Sequence, residues 1–304
     1  MRKVLVLMST YNGERYIREQ IDSILGQEGV DVSLLIRDDG SSDSTLDIIH
    51  SYMEQNSNVR LYTGGNLGAA QSFLDLLNHA DGGDYYSFSD QDDVWDTDKL
   101  SAAVKMLQAE PGDGPLLYYS NLRVVDGDLN FKRNAHDKAR PSGGKYTALA
   151  EAAVAGCTMV FNQYALNLLK GRTPAYCSMH DSWVYLVCMM FGKVIYDGEP
   201  HMSYWQHEDN LIGAYQGKKT PALYISKIKE LYNNTDESRL RNARALMDSY
   251  GDVLSPRDRS KLSKILNYKN SIKDRAILLA DFSIHATGLY REIRYLAGVL
   301  FKNL

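Results

Sequence analysis

The stretch Tyr85-Tyr86-Ser87-Phe88-Ser89-Asp90-Gln91-Asp92-Asp93-Val94-Trp95 begins as an apolar run and then places three carboxylates within four residues. An apolar segment of strand length that delivers acids to its end reads as a buried strand of an α/β sheet. Carboxylates crowded at such a point repel one another and lose solvation, which is costly unless a cation or a set of donors compensates. A hard divalent cation with oxygen ligands is the natural compensation, and phosphate commonly accompanies it.

Three similar units precede this one. Residues 3–8 (KVLVLM) read as a buried strand, followed by the polar turn Ser9-Thr10-Tyr11-Asn12-Gly13 and then by Ile17, Ile21, Ile24 and Leu25 at helical spacing. Val32 to Ile36 is a second strand, ending in Arg37-Asp38-Asp39-Gly40-Ser41-Ser42-Asp43. Ser42 or Asp43 can cap the next helix, whose apolar positions are Leu46, Ile48, Ile49 and Tyr52. Val59 to Tyr62 is a third strand, and Gly64-Gly65-Asn66-Leu67-Gly68 turns into a helix around Phe73, Leu74 and Leu77. Four strand–loop–helix units imply right-handed crossovers and a mostly parallel sheet, with ligands beyond the carboxyl ends of the strands. The four polar clusters should therefore meet on one edge.

From Pro115 the pattern changes to short strands (Leu116–Ser120, Leu122–Val125, Thr158–Phe161, Lys193–Tyr196) interleaved with helices. The loop from Asp126 to Lys145 has the length of a lid or an acceptor-binding segment. After Gly217 the chain reads as helical, with one stripe at Leu223, Ile225, Ile228 and Leu231 and another at Leu262, Ile265 and Leu266. The expected division is an α/β domain over residues 1–215 and a helical C-terminal region over 216–304. Charge follows the same division. Residues 216–304 hold 17 Lys+Arg against 9 Asp+Glu, a balance of +8, which leaves −12 for residues 1–215 of the total −4.

The composition, 44% hydrophobic and 24% charged with 7 Pro, is that of an ordinary globular protein. Tyrosine is abundant at 21, which suits sugar and base recognition and equally suits a half-buried core. Cys157, Cys177 and Cys188 show no CxxC spacing, so reduced thiols in a cytoplasmic setting are expected. No signal peptide and no membrane-spanning run is visible. In the tail, Arg291, Arg294 and Lys302 alternate with Ile293, Tyr295, Leu296, Val299 and Leu300. That pattern fits peripheral contact with the inner face of a cell membrane, a dimerisation element, or a plain solvated helix. Nucleic acid is disfavoured by the acidic first part and the lack of a recognition motif.

Taken in order, Thr10-Tyr11-Asn12, Asp38-Asp39-Gly40-Ser41, Asn66-Leu67-Gly68, Asp90-Gln91-Asp92, His180-Asp181 and Tyr204-Trp205-Gln206-His207 resemble the family 2 glycosyltransferases, which have the GT-A fold and invert anomeric configuration. The resemblance covers roughly residues 3–215, and within the family it is to rhamnosyltransferase-type enzymes of bacterial cell-surface polysaccharide synthesis. Trp205 stands where such sequences often carry Arg. The resemblance implies transfer from a dTDP- or UDP-linked sugar to a saccharide or lipid-linked saccharide acceptor. It makes Thr10, Tyr11, Asn12, Asp38, Asp39, Asn66, Gly68 and Asp90 nucleotide contacts, Asp92 and His207 ligands of Mn2+ or Mg2+, and Asp181 the general base. Asp93 receives no role from it.

Each residue also has a plainer reading. The segment from Asp38 to Asp43 is a sufficient turn and cap by itself, Asp92 or Asp93 could cap the helix beginning near Asp96, and Asp181 could cap its own helix. Trp95 and Trp183 fit a sugar-stacking platform and a core equally well. Gly156-Cys157-Thr158 can put small residues beneath a donor sugar, with Cys157 lacking the partner a nucleophile needs. Two other functions remain open on the residues alone. A sugar-1-phosphate nucleotidyltransferase would normally carry a Gly-rich basic loop where this chain has STYNGER, and a non-catalytic saccharide-binding protein would not need the acids, the base and the histidine together.

Overall fold

The structure, a computed structural model, describes residues 1–127, 129–136, 143–151, 154–205, 237–287 and 289–302. His207 and the stripe from Leu223 to Leu231 lie outside the described residues. The described chain separates into two compact units, and two short pieces of the first 215 residues, 143–151 and 172–177, pack with the C-terminal helices in the second.

The first unit opens with β1 (Lys3–Thr10), α1 (Ile17–Leu25), β2 (Asp31–Asp38), α2 (Thr45–Gln55), β3 (Val59–Thr63), α3 (Ala69–His79) and β4 (Tyr85–Ser89). Strand order β3-β2-β1-β4 is parallel throughout, and Thr10, Asp38 and Thr63 stand side by side in register, with Met8 beside Ser89. The carboxyl ends of all four strands therefore share one edge. Alternation along β1 explains the layers. Val4, Val6 and Met8 share a core with Leu34 and Ile36 of β2 and with Ile17, Ile21 and Ile24, which recur at i, i+4 and i+7 along α1. Ser44 occupies the N-cap of α2 without a side-chain bond, and Asp43 serves from one residue further out, its Oδ1 accepting the Thr45 N–H at 3.1 Å.

Beyond β4 the sheet becomes mixed. It continues through β5 (Asp93–Trp95), α4 (Lys99–Ala109), β6 (Leu116–Val125), β7 (Phe131–Asn134), β8 (Val160–Asn162), α5 (Gln163–Leu169), α6 (His180–Phe191) and β9 (Lys193–Trp205). The full order is β3-β2-β1-β4-β8-β6-β9-β5, with β7 on β6. β8 is antiparallel to β4 and β6, β6 and β9 run parallel, and β5 is antiparallel to β9. The two short strands expected at 116–125 are one, and the strand expected at 193–196 runs on to Trp205. Gly198 and Pro200, which argue against a strand, are absorbed by register shifts around Asn121. The Asn121 side chain repairs the ladder there, donating to the carbonyls of His136 at 2.9 Å and Gly198 at 3.3 Å.

The second unit contains α7 (Ser238–Tyr250), α8 (Pro256–Asn267), α9 (Ile272–Ala280) and α10 (Leu289–Phe301). Ser255 caps α8 by accepting the Asp258 N–H, with Pro256 at the first helical position. Asp258 also accepts the Tyr146 hydroxyl and pairs with Lys145 at 2.5 Å, which ties the segment around residue 146 to this helix. Tyr295 and Val299 of α10 are buried, whereas Ile293, Leu300 and Phe301 are exposed. Many tyrosines are core residues: Tyr86, Tyr118, Tyr250 and Tyr268 are among the largest fully buried side chains. No helix among the described residues is long and apolar enough to cross a membrane.

Candidate active site

The edge formed by the ends of β1, β2 and β4 is knitted by side chains from the polar clusters. Asp38 is fully buried, and its Oδ1 accepts the Gly40 and Ser41 N–H groups at 3.0 and 2.9 Å while Oδ2 accepts the Ser41 hydroxyl. Asp39 pairs with the buried Arg37 guanidinium and accepts the Leu67 and Gly68 N–H groups at 2.9 Å. Gly68 has φ +75, a left-handed conformation that favours glycine, so the turn into α3 is held to β2 by this one carboxylate. Asn12, at φ 48, donates its N–H to Ser41 and accepts the Ser42 N–H at 2.8 Å. The second and third motifs thus form one hydrogen-bonded rim in which Tyr11, Asn12, Asn66 and Gly68 are exposed.

Gln91, which the sequence offers only as a spacer between two acids, joins that rim to the acidic motif. Its Oε1 accepts the Thr10 hydroxyl at 2.6 Å and the Tyr11 N–H at 2.9 Å, and its Nε2 donates to the Tyr11 carbonyl. A Cβ at Gly13 would lie 2.3 Å from Gln91 Oε1, so glycine is required for this approach.

The acids after β4 are arranged differently. Asp90 and Asp92 are half-buried, while Asp93 starts β5 opposite Tyr204 and is 1% exposed, with neither carboxylate oxygen hydrogen-bonded. Neither Asp92 nor Asp93 caps α4, which begins at Lys99 with Asp98 at its N-cap. Loss of solvation, reinforced by the charges of Asp92 and Asp181, pushes the Asp90 carboxyl up to about 7. Desolvation and the charges of Asp90 and Asp92 likewise hold Asp93 well above the usual carboxylate range.

Asp181 lies in the first turn of α6, where the helix dipole favours an anion. Burial raises its carboxyl above the ordinary value, and hydrogen bonds from Ser182 and the Gly156 backbone oppose that rise. His180 beside it is 3% exposed, stacks on Phe73 at 3.9 Å between ring centroids, and is pushed down to about 3 by burial, so it is a neutral imidazole. A Cβ at Gly156 would stand 2.6 Å from His180 Nε2, which explains the glycine. Trp95 and Trp183 are 4% and 3% exposed and belong to the core. Gly156 stands against Asp181 and the next residue, Cys157, against Asp90 and Asp93, so the acidic motif and the α6 carboxylate share one locus, where Asp92 and Asp181 both raise the Asp90 carboxyl.

The sequence matches the family model described as "Glycosyl transferase family 2" over residues 5–167, more than half of the chain. The chain belongs to glycosyl transferase family 2. This transferase is 32% identical to the dTDP-rhamnosyl transferase RfbG of Shigella flexneri over 252 residues, which cover 78% of this chain and 84% of that protein. Its fold is that of S. aureus TarS 1-349 in complex with UDP-GlcNAc, with a TM-score of 0.55 at 15% identity over 98% of this chain and 90% of that one. It is also that of the mannosyltransferase PcManGT from Pyrobaculum calidifontis in complex with GDP-Man and Mn2+, with a TM-score of 0.51 at 19% identity, covering 99% and 88%. A family 2 glycosyltransferase with the GT-A fold leaves no place for the nucleotidyltransferase or the non-catalytic binder as alternatives.

Proposed function

We propose that this glycosyltransferase inverts configuration, uses dTDP-rhamnose or a UDP-hexose as donor, and extends a saccharide or lipid-linked saccharide in cell-surface polysaccharide synthesis. The observation that carries the proposal is the convergence of Asp92 and Asp181 on Asp90, whose carboxyl both raise, next to the rim at the strand ends. The similarity to a dTDP-rhamnosyl transferase favours that donor.

In this reading Thr10, Tyr11, Asn12, Asn66 and Gly68 contact the nucleotide. Asp38 and Asp39 contribute mainly by fixing those residues, because their oxygens already accept hydrogen bonds from the rim. Asp90 faces the ribose. Asp181 takes the proton from the acceptor hydroxyl as that oxygen attacks the anomeric carbon from the face opposite the diphosphate, and a raised pKa makes it a better base than an ordinary aspartate. The residues present fit a divalent cation: Asp92 and Asp181 raise the desolvated Asp90 carboxyl, Asp90 and Asp92 raise that of Asp93, and the opposing charge of Lys99 at Asp93 is the smallest of its causes. Asp92, with His207 as second ligand, would hold Mn2+ or Mg2+, which when bound supplies charge neutralisation for the leaving nucleoside diphosphate. Residues 216–304 serve as a basic docking region for an anionic membrane surface, a role supported by exposed Ile293, Leu300 and Phe301 on α10, with self-association through the same face as the runner-up.

The test is donor turnover with dTDP-rhamnose, UDP-glucose and UDP-galactose, with and without manganese, in wild type and Asp181→Asn. Transfer by Asp181→Asn should fall by roughly 10³-fold, with donor affinity unchanged. Below the raised pKa of Asp181 the base is protonated, so wild-type kcat should drop tenfold per pH unit on the acid side. Full transfer by the variant would remove Asp181 from the chemistry.

A further inference from the structure

The second unit holds a cavity to which glycosyl transfer gives no role. Its volume is about 500 Å³, within the roughly 300–1,000 Å³ of small-ligand sites, and all of its lining residues belong to that unit. One wall is the segment Gly143–Thr147 and another runs from Phe282 to Thr287, with Arg257 of α8 beside them. The Thr147 hydroxyl joins the two walls by donating to the His285 carbonyl at 3.0 Å. Three side chains of the lining have capacity to spare. The Phe282 ring is 83% exposed. Arg257 is exposed and makes no ion pair among the described residues. His285 meets Glu292 of α10 through Nδ1 at 2.5 Å, and its Nε2 is buried with no hydrogen-bond partner among the described residues.

Charge balance selects the class of ligand. Lys145 is matched by Asp258 at 2.5 Å, Lys261 by Asp281 at 2.7 Å, and His285 has Glu292. Arg257 alone is a weak trap for a phosphate dianion, whereas charges that hold one another in place are fixed donors and acceptors for a neutral, hydroxyl-rich molecule. We infer that this cavity is a second saccharide-binding site, built from residues other than the donor rim, which holds a length of the growing chain. The inference rests on the reading of the acceptor as a saccharide. Phe282 stacks on the C–H face of a sugar ring, and Arg257 donates to its hydroxyl oxygens. With Nδ1 donating to Glu292, Nε2 of a neutral His285 accepts a hydroxyl proton once the Phe282 ring, 4.8 Å away between centroids, turns toward the sugar.

The experiment puts a reporter in the cavity. Phe282→Trp keeps an aromatic face at an exposed position, and its fluorescence is followed as trisaccharides of rhamnose, glucose and galactose are added to the full chain. A saturable blue shift beyond the wild-type response is expected with at least one of them, and saturating dTDP or UDP should leave it in place. Adding Arg257→Ala should raise the half-saturating concentration by roughly tenfold. No shift with any trisaccharide, a shift indifferent to Arg257→Ala, one displaced by nucleotide, or one given by pyrophosphate or phosphatidylglycerol vesicles and not by saccharide would overturn the site. Both side chains are exposed, so neither change disturbs the core. Donor turnover separates this inference from the reading it rests on, because Phe282→Ala should turn over donor at the wild-type rate. Intact turnover without a trisaccharide shift sinks the cavity alone. A shift in a protein that turns over none of the donors sinks the donor assignment and leaves the cavity standing.

Discussion

Two strand ends in this molecule carry adjacent acids, and they resolve the same electrostatic problem in opposite ways. At the end of β2, Asp38 and Asp39 are as buried as any residue in the sheet, yet their oxygens accept N–H and hydroxyl groups from the rim and Asp39 meets Arg37. After β4, Asp93 is buried without that saturation, and the protonation of both Asp93 and the half-buried Asp90 is displaced upward. Saturated acids build a scaffold. Unsaturated ones mark where the proposed cation would bind.

Mutating the two ends should therefore produce different losses. The largest effect belongs to the β4 side: Asp92→Ala should lower metal-dependent turnover by about 10³-fold or more while leaving the thermal melt nearly unchanged. If that variant unfolds instead, the acid is a structural element and the contrast fails. On the saturated side, Asp39→Ala should cost about 3 kcal/mol in urea unfolding, because it leaves the buried Arg37 guanidinium short of a partner and frees the Leu67–Gly68 turn. Asp38→Asn keeps an acceptor for the turn and should cost only about 1 kcal/mol by the same measurement.

Between these in size lies His180. Its pKa is about 3 in the fold against an ordinary 6.5, so as pH falls the unfolded chain takes up the proton first and stability is lost. The loss amounts to about 2 kcal/mol at pH 5 and is absent well above pH 6.5. His180→Phe, which can keep the stack on Phe73, should flatten that acid-side slope in pH-dependent melts.

The contrast also shows what local sequence can reveal. The alternation of β1 and the i, i+4, i+7 isoleucines of α1 are local patterns, so the parallel β3-β2-β1-β4 core and its shared edge are legible from residues 3–89. β5 is not legible, because a three-residue strand beginning with an acid exists only through its pairing with Met202–Tyr204 of β9. Trp95 and Trp183 illustrate a second limit, since an aromatic near a site reads the same whether it faces a ligand or the core. The saturation of Asp38 was foreshadowed by the turn chemistry of Gly40 and Ser41. That of Asp39 was not, for it depends on Arg37 two residues earlier on β2 and on a loop nearly thirty residues away.

The bridge made by Gln91 has a practical consequence for altering donor preference. Residues 10–13 and 91 are coupled through one side-chain amide, so libraries that randomise the first loop alone would detach it from the acidic motif in most members. Varying both segments together, with Gly13 held constant, searches the combinations in which the loop still has an anchor.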